Sequence, residues 1–94
     1  MAIVVTNNIP GGGQDLYDKV TEKLGIGNEL PDGCQVHVAG PVAEGWRVIT
    51  VWESEDRFND FRDNTLIPAL KDADEEGRIA PSISAQPVYR LLKD

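Results

Sequence analysis

The chain has 94 residues, of which 40% are apolar and 27% are charged, a balance typical of one soluble globular domain. Its 16 acidic and 9 basic residues give a net charge of −7, which argues against a nucleic-acid partner or an anionic membrane surface, because both need clustered Lys and Arg. A lone cysteine forms no internal disulfide and the N-terminal apolar run is too short for a signal peptide or a membrane span, so we expect one cytoplasmic domain, residues 1–94.

The first part of the chain predicts a strand, a helix and a second strand. The β-branched run 2–6 predicts a strand that ends in a turn over 7–13, where Asn, Pro and three glycines are concentrated. Over 14–24 the apolar residues recur on one stripe, which indicates an amphipathic helix. Residues 34–39 alternate as a strand that closes at 40–41, a Gly-Pro pair.

The middle of the chain predicts a β-hairpin followed by a helix. A short turn over 42–45 joins the second strand to the strongest strand pattern, 46–53. Ser54 then occupies an N-cap position ahead of acidic residues in the first helical turn. Pro68 cannot continue this helix undisturbed, because it lacks the amide hydrogen, so we expect a break or kink over 65–67.

The last part predicts a short second helical piece over 68–75 and a final strand over 87–92. The resulting order is β-α-β-β-α-β. In one small domain this order is typical of the α+β, ferredoxin-like arrangement, with a four-stranded antiparallel sheet and both helices on one face.

Both faces of the predicted sheet carry apolar side chains. The first strand has Ile3 and Val5 on one face and Val4 on the other. The third strand has Ile49 and Val51 on one face and Val48 and Trp52 on the other, and the last strand sets Val88 and Leu92 against Tyr89 and Leu91. Two helices cover only one face, and monomeric proteins rarely expose a large apolar patch. The sequence therefore predicts a homodimer that pairs sheet against sheet.

The stretch 45–54, Gly-Trp-Arg-Val-Ile-Thr-Val-Trp-Glu-Ser, is followed by an acidic helix with Phe58 and Phe61. It resembles the third strand and second helix of the dimeric α+β barrel proteins, and in particular the antibiotic-biosynthesis-monooxygenase-like group. The resemblance implies pairing through the sheets and a small ligand between sheet and helices. Members of the group include cofactor-independent monooxygenases acting on polycyclic phenols, cyclases, isomerases, haem-degrading enzymes and proteins without an assigned activity.

The residues of this chain can also be compared with those of the haem-degrading branch of this superfamily. Its members resemble the chain in placing an Asn where Asn7 stands, but they use a Trp in the second helix where this chain has Phe61. They also carry a His that ligates iron near the position of Lys71, and the only histidine here is on the second strand. We therefore expect no haem, and with one His and one Cys we expect no metal or other cofactor.

His37 is the residue with the most distinctive chemistry, because its unperturbed pKa allows proton transfer near neutral pH. It is predicted to share a strand face with Gln35 and Ala39, opposite Cys34, and that polar face leaves room for a ligand. His37 is therefore a candidate catalytic residue that accepts a proton from a phenol or enol or orients such a group. A structural histidine in a strand is the alternative.

The remaining candidates surround the expected ligand. Asn7 is predicted to contact substrate or stabilise an oxyanion, with turn formation as the alternative. Trp52 is predicted to form an aromatic wall together with Phe58 and Phe61, with core packing as the alternative. Gln35 and Tyr89 complete the predicted substrate contacts. Tyr17 lies on the apolar stripe of the first helix and is predicted to be a core residue, with a hydroxyl contact to the ligand as the alternative.

These residues favour a cofactor-independent enzyme acting on an aromatic or polyketide-like small molecule, by monooxygenation or by acid–base cyclisation or isomerisation. The first alternative is a homodimer that binds a small ligand without catalysis. The second is a purely structural homodimer whose cavity is filled by side chains.

Overall fold

The computed structural model describes residues 1–24, 29–73 and 82–92. The elements in these ranges are β1 (Ile3–Pro10), α1 (Gln14–Leu24), β2 (Cys34–Val42), β3 (Gly45–Trp52), α2 (Glu55–Phe61), a π-helical segment (Arg62–Leu66), α3 (Ile67–Ala73) and β4 (Ser82–Pro87). None of these helices is long and apolar enough to cross a bilayer.

The described strands form a four-stranded antiparallel sheet in the order β2-β3-β1-β4. The side chains of one sheet face contact α1, α2 and α3, and a cavity lies between this face and the helices. This is the predicted ferredoxin-like α+β fold. We call the side of the sheet toward the helices the helix face and the other side the open face.

β1 continues past its predicted end at residue 6. Asn7 pairs with Val48 and Ile9 with Trp46, so β3 provides partners for a segment whose composition indicates a turn. The prediction of a turn is therefore wrong for residues 7–10 and correct for Gly11, whose φ of +76° is a turn conformation and whose N–H donates to the Glu44 carbonyl at 2.8 Å. The consequence is that Asn7 lies inside the sheet.

β2 also extends beyond its predicted end, through 40–41 to Val42, which pairs with Gly45 across a two-residue turn. Pro41 is tolerated because β2 is an edge strand, and an edge strand does not need every N–H for the ladder. A side chain at Gly45 would overlap the backbone of Ile9 and Gly11, so the hairpin end packs directly onto β1.

A β-bulge near the start of β2 changes which side chains share a face. Cys34 pairs with Trp52 and Val36 pairs with Val51, so Gln35 is an extra residue on this strand. Cys34 and His37 therefore both lie on the helix face. The prediction that they lie on opposite faces is wrong, because simple alternation does not survive an inserted residue.

The second helix contains the predicted disturbance before Pro68, in the form of a π-helical segment. The Ile67 N–H donates to the Arg62 carbonyl, five residues back, where an α-helix would use the fourth. This wider turn accommodates a proline that has no N–H and whose ring crowds the preceding turn. α3 then runs Ile67–Ala73, and the predicted end of that helix at residue 75 lies outside the described residues. Ser54 caps α2 as expected, accepting from the Arg57 N–H at 3.3 Å.

β4 is Ser82–Pro87, and the prediction of a strand over 87–92 is wrong. Ile83 pairs with Asn7 and Pro87 with Ile3, after which the Val88 N–H makes one more bond, to the Ala2 carbonyl at 2.9 Å. Most of β4 is exposed at the sheet edge, so it carries polar residues and lacks the apolar pattern of a central strand.

The core on the helix face has two parts. One joins the sheet to α2 and contains Ile3, Val5, Cys34, Trp52 and Phe58. The other joins α1 to α3 and contains Val20 and Ala69, with Leu16, Leu24 and Leu70 packed against them. An exposed ion pair, with Lys23 Nζ 2.6 Å from Asp72 Oδ2, adds a contact of small energetic value between α1 and α3.

The open face carries an apolar patch over β1, β2 and β3, as predicted. Strand register places Val4, Val36, Val38, Ile49 and Val51 together on this face. Val38 is 56% exposed. The β4 side of the open face is polar, with Ser84 and Gln86, so the predicted contribution of residues 88–92 to this patch is wrong.

Candidate functional site

The two parts of the core enclose a cavity of about 70 Å³ between the helix face of the sheet and the helices. A cavity needs roughly 10–15 Å³ to hold one water molecule. This space therefore accepts several waters or a small organic ligand. Most of the lining side chains are apolar. The polar ones are Asn7, Tyr17, Thr21, Cys34, His37 and Thr50.

The strongest polar contact at the cavity joins Tyr17 on α1 to His37 on β2. The Tyr17 Oη and His37 Nε2 atoms lie 2.6 Å apart. Burial lowers the pKa of His37 below its ordinary value of 6.5, so the ring is neutral at pH 7. We assign the ring proton to Nδ1, which makes Nε2 the acceptor of the Tyr17 hydroxyl proton. The pair is an acid–base unit at the wall of an apolar space.

Asn7 brings an unsatisfied polar group to the same cavity. It is 8% exposed, and its Oδ1 has no hydrogen-bond partner among the described residues. β1 places it on the helix face, where it pairs with Val48 on one side and Ile83 on the other. An unpaired buried carbonyl oxygen costs roughly 1–3 kcal/mol, a cost that a ligand with a matching donor removes.

The other polar side chains of the cavity bond within the protein. The Thr21 hydroxyl donates to the Tyr17 carbonyl at 2.8 Å, and the Thr50 hydroxyl accepts from Trp52 Nε1 at 2.9 Å. The Cys34 thiol donates to the Val36 carbonyl at 3.4 Å, and burial raises the pKa of this thiol, so it stays protonated at neutral pH. Within the described part of the chain, Asn7 is thus the cavity side chain best prepared to accept a new hydrogen bond.

An aromatic cluster forms another wall of the cavity. The Trp52 ring lies 5.6 Å from that of Phe58 and 5.0 Å from that of Phe61, measured between ring centroids. Trp52 is 1% exposed, so its ring is fixed by packing. Flat apolar surfaces of this kind favour an aromatic ligand.

The structure brings together five of the seven side chains predicted for the site, namely His37, Asn7, Trp52, Phe58 and Phe61. The other two predictions are wrong about position. Gln35 is the extra residue of the bulge and does not line the cavity, although its Oε1 is buried without a partner. Tyr89 lies beyond β4 and is fully exposed.

Tyr17 lines the cavity, although the sequence favours a core role for it over a ligand contact. Its place on the apolar stripe of α1 indicates a core residue, and a stripe position gives no information about which polar atom meets the hydroxyl. The available signal was that a tyrosine facing a sheet needs a hydrogen-bond partner when buried. His37 is the partner. Over residues 1–24, 29–73 and 82–92, no three His, Cys, Asp or Glu side chains group as metal ligands.

This architecture is similar to that of several solved structures. A Deinococcus radiodurans protein classed with the antibiotic biosynthesis monooxygenases aligns with 100% of this chain and 98% of its own, with a TM-score of 0.62 and 15% identity. SnoaB, a cofactor-independent oxygenase from Streptomyces nogalater, aligns with 99% of this chain and 98% of its own, with a TM-score of 0.59 and 14% identity. The chain shares the ferredoxin-like α+β fold of these proteins.

A Chloroflexus aurantiacus protein classed with the same monooxygenases shares this α+β fold over 97% of both chains, with a TM-score of 0.57 and 18% identity. No protein-family model matches the chain, and no curated protein matches it significantly. At such low identity the likeness fixes the architecture, and the residues of the cavity must carry any argument about chemistry.

Proposed function

We propose that this α+β protein is a cofactor-independent enzyme that removes a proton from an aromatic, polyketide-like phenol or enol held in the cavity. The observation that carries the proposal is the 2.6 Å contact of Tyr17 Oη with His37 Nε2 beside an apolar space. A neutral imidazole in contact with a hydroxyl is a working general base, because it has both the proton affinity and the hydrogen bond that proton transfer needs.

In the proposed first step the substrate hydroxyl gives its proton to the Tyr17 oxygen while the Tyr17 proton passes to His37 Nε2. The products are a substrate anion and a His37 imidazolium, and Tyr17 is unchanged. The aromatic wall at Trp52 holds the flat ring, and the Asn7 amide accepts from a second hydroxyl through Oδ1. If the side-chain amide of Asn7 rotates so that its nitrogen faces the ligand, Nδ2 donates to an oxyanion instead.

The electron-rich anion then has two possible fates, which share this first step. In monooxygenation one dioxygen molecule is consumed. The phenol loses its O–H hydrogen and one ring hydrogen, the ring carbon gains one oxygen as a carbonyl, and the second oxygen leaves as water. Without dioxygen, the anion cyclises or isomerises. The likeness to SnoaB, an oxygenase that works without a cofactor, supports the first fate.

A turnover experiment with a dihydroxynaphthalene tests the proposal. We expect uptake of one dioxygen for each hydroxynaphthoquinone formed, and label from isotopic dioxygen in the quinone. Consumption of the probe under nitrogen, with a rearranged product, would identify the acid–base fate. Binding without turnover under either gas contradicts the enzyme proposal and supports the ligand-binding alternative, and absence of binding supports a structural cavity.

Replacement of Asn7 by Leu is expected to affect stability and binding in opposite directions. Removing the unpaired Oδ1 raises the free energy of unfolding by about 1–3 kcal/mol, whereas loss of the substrate hydrogen bond weakens binding of the probe by about 0.5–1.5 kcal/mol. Chemical denaturation and titration calorimetry measure the two effects.

The neighbouring Asn8 provides the matched control for this variant. It lies on the open face and accepts from Arg47 Nε at 2.7 Å, so Asn8→Leu should leave affinity for the probe unchanged. A less stable Asn7→Leu protein with wild-type affinity would show that Asn7 has a structural role only.

We also propose that a second copy of the chain covers the open face. The support is the contiguous patch over β1, β2 and β3, in which Val38 is more than half exposed, on a face that the described helices leave uncovered. Isologous pairing would bury this patch in a homodimer. Native mass spectrometry of the protein used for turnover reports the subunit number and any retained ligand.

A further inference from the structure

Three aromatic side chains form a continuous row beside the cavity, and the acid–base step uses only two of them. The Trp46 and Tyr17 ring centroids are 5.5 Å apart, and those of Tyr17 and His37 are 5.9 Å apart. Trp46 lies at the hairpin end of β3, is partly exposed, and does not line the cavity. The row thus runs from the cavity wall toward the surface.

We propose that Tyr17 is a redox-active tyrosine, with His37 as its proton acceptor and Trp46 as the residue that passes oxidising equivalents to it. A phenol gives up an electron readily only when its proton leaves at the same time, because the protonated phenol radical is a very strong acid. The contact of Tyr17 Oη with His37 Nε2 at 2.6 Å meets this requirement. The ring contact with Trp46 meets the second requirement, a path for the electron.

The proposed step balances in electrons and protons. A one-electron oxidant, such as an oxygen-centred radical or an oxidising metal complex, removes one electron from Trp46 and leaves an indole radical cation. Tyr17 returns an electron to Trp46, and its phenolic proton moves to His37 Nε2. The products are neutral Trp46, a neutral Tyr17 phenoxyl radical and a His37 imidazolium, so the single positive charge moves from the indole to the imidazole.

The surroundings of Tyr17 favour this step at neutral pH. Of the described side chains that line the cavity, none is a carboxylate or an amine, and Cys34 is the one ionisable group besides the Tyr17–His37 pair. Burial lowers the pKa of His37, so its ring is free to take a proton. Burial raises the pKa of Cys34, so the thiol stays protonated.

The second tyrosine of the chain lacks all of these features. Tyr89 is fully exposed, and its hydroxyl has no hydrogen-bond partner among the described residues. Oxidation there would have to release the proton to water, and no described ring lies next to it. Tyr89 therefore serves as an internal control for an experiment that detects tyrosyl radicals.

The test is flash oxidation of the protein by ruthenium(III) tris(bipyridine), generated in light with a cobalt(III) quencher. We expect the absorption and electron paramagnetic resonance signal of a tyrosyl radical in the wild type and in Tyr89→Phe, and its loss in Tyr17→Phe. Trp46→Phe should slow formation of the Tyr17 radical. His37→Gln should reduce its yield, because an amide is a far weaker base. Acidification through the pKa of His37, which burial places below 6.5, should do the same in the wild type.

Circular dichroism establishes that each variant is folded, and the Tyr→Phe changes preserve the packed ring. A signal that persists in Tyr17→Phe and disappears in Tyr89→Phe overturns the proposal. Unchanged yield in His37→Gln overturns the role of His37, and an unchanged rate in Trp46→Phe overturns that of Trp46. The oxidation experiment contains no phenolic substrate, so a negative turnover result does not contradict the redox role of Tyr17. A negative oxidation result likewise does not contradict the proposed enzyme function.

Discussion

Replacing His37 with Gln should lower kcat/KM for the dihydroxynaphthalene probe by about 10²–10⁴-fold, the usual contribution of a general base. Gln accepts the hydrogen bond from the Tyr17 hydroxyl but cannot take its proton, so the contact remains while the chemistry stops. Steady-state quinone formation measures the rate, and calorimetry measures binding of the probe, which should change little.

Burial of His37 determines how kcat/KM and the stability of the protein should change with pH. Its folded pKa is below 6.5, so kcat/KM should be constant near neutral pH and fall on acidification, with a midpoint below 6.5. Stability follows the same direction. Because the unfolded chain binds the proton more readily, the stability present above pH 6.5 is lost as pH falls through the folded pKa. His37→Gln should remove both the fall in kcat/KM and the loss of stability that protonation of His37 causes on acidification.

Lys71→Gln provides a control for this variant, since Lys71 is exposed on α3 and does not line the cavity. Its kcat/KM should match the wild type. If His37→Gln turns over the probe at the wild-type rate, His37 is a structural residue of β2, and the proposed proton transfer is wrong.

Replacing Trp52 with Ala should destabilise the protein by about 3–5 kcal/mol, the cost typical of removing a large buried aromatic ring. Trp52 is 1% exposed and packs on Phe58 and Phe61, and its loss also leaves the Thr50 hydroxyl without the Nε1 donor. A domain of this size is stable by about 5–15 kcal/mol, so the variant should lose a large share of its stability. Chemical denaturation followed by circular dichroism measures the change.

Two further variants separate packing from hydrogen bonding at Trp52. Trp52→Phe keeps an aromatic ring, so it should lose less stability than Trp52→Ala. It removes only the Nε1 donor and part of the ring volume. Leu92→Ala, at a side chain that is 75% exposed, should change stability by no more than about 0.5 kcal/mol. A Trp52→Ala loss as small as that of Leu92→Ala would show that the aromatic wall is not part of the core.

Elements with strong local signals could be predicted well. α1 occupies the predicted Gln14–Leu24, because its apolar stripe and polar face leave few alternatives. β3 has a long β-branched and aromatic run, and its register confirms that Val48 and Trp52 lie opposite Ile49 and Val51. Pro68 correctly indicates a disturbed helix, because a proline beyond the first turn leaves one backbone hydrogen bond unmade and its ring crowds the preceding turn.

Elements that depend on pairing could not be predicted in the same way. The end of β1 looks like a turn, and only its pairing with β3 makes it a strand. β4 has weak strand propensity and exists because β1 offers it an unpaired edge. The bulge at Gln35 is one inserted residue, which alternation along the chain cannot reveal, and it places Cys34 beside His37 on the helix face.

Local patterns were sufficient for the order of the elements and for the two-sided apolar sheet, and they selected His37 and the aromatic wall at Trp52 as candidates. Periodicity and residue chemistry are local properties, so they can be recognised one segment at a time. The contact of Tyr17 with His37 and the position of Tyr89 outside the cavity follow from the packing of the elements. A hydrogen bond between a helix and a strand twenty residues apart depends on how the two pack, and no local pattern encodes that distance.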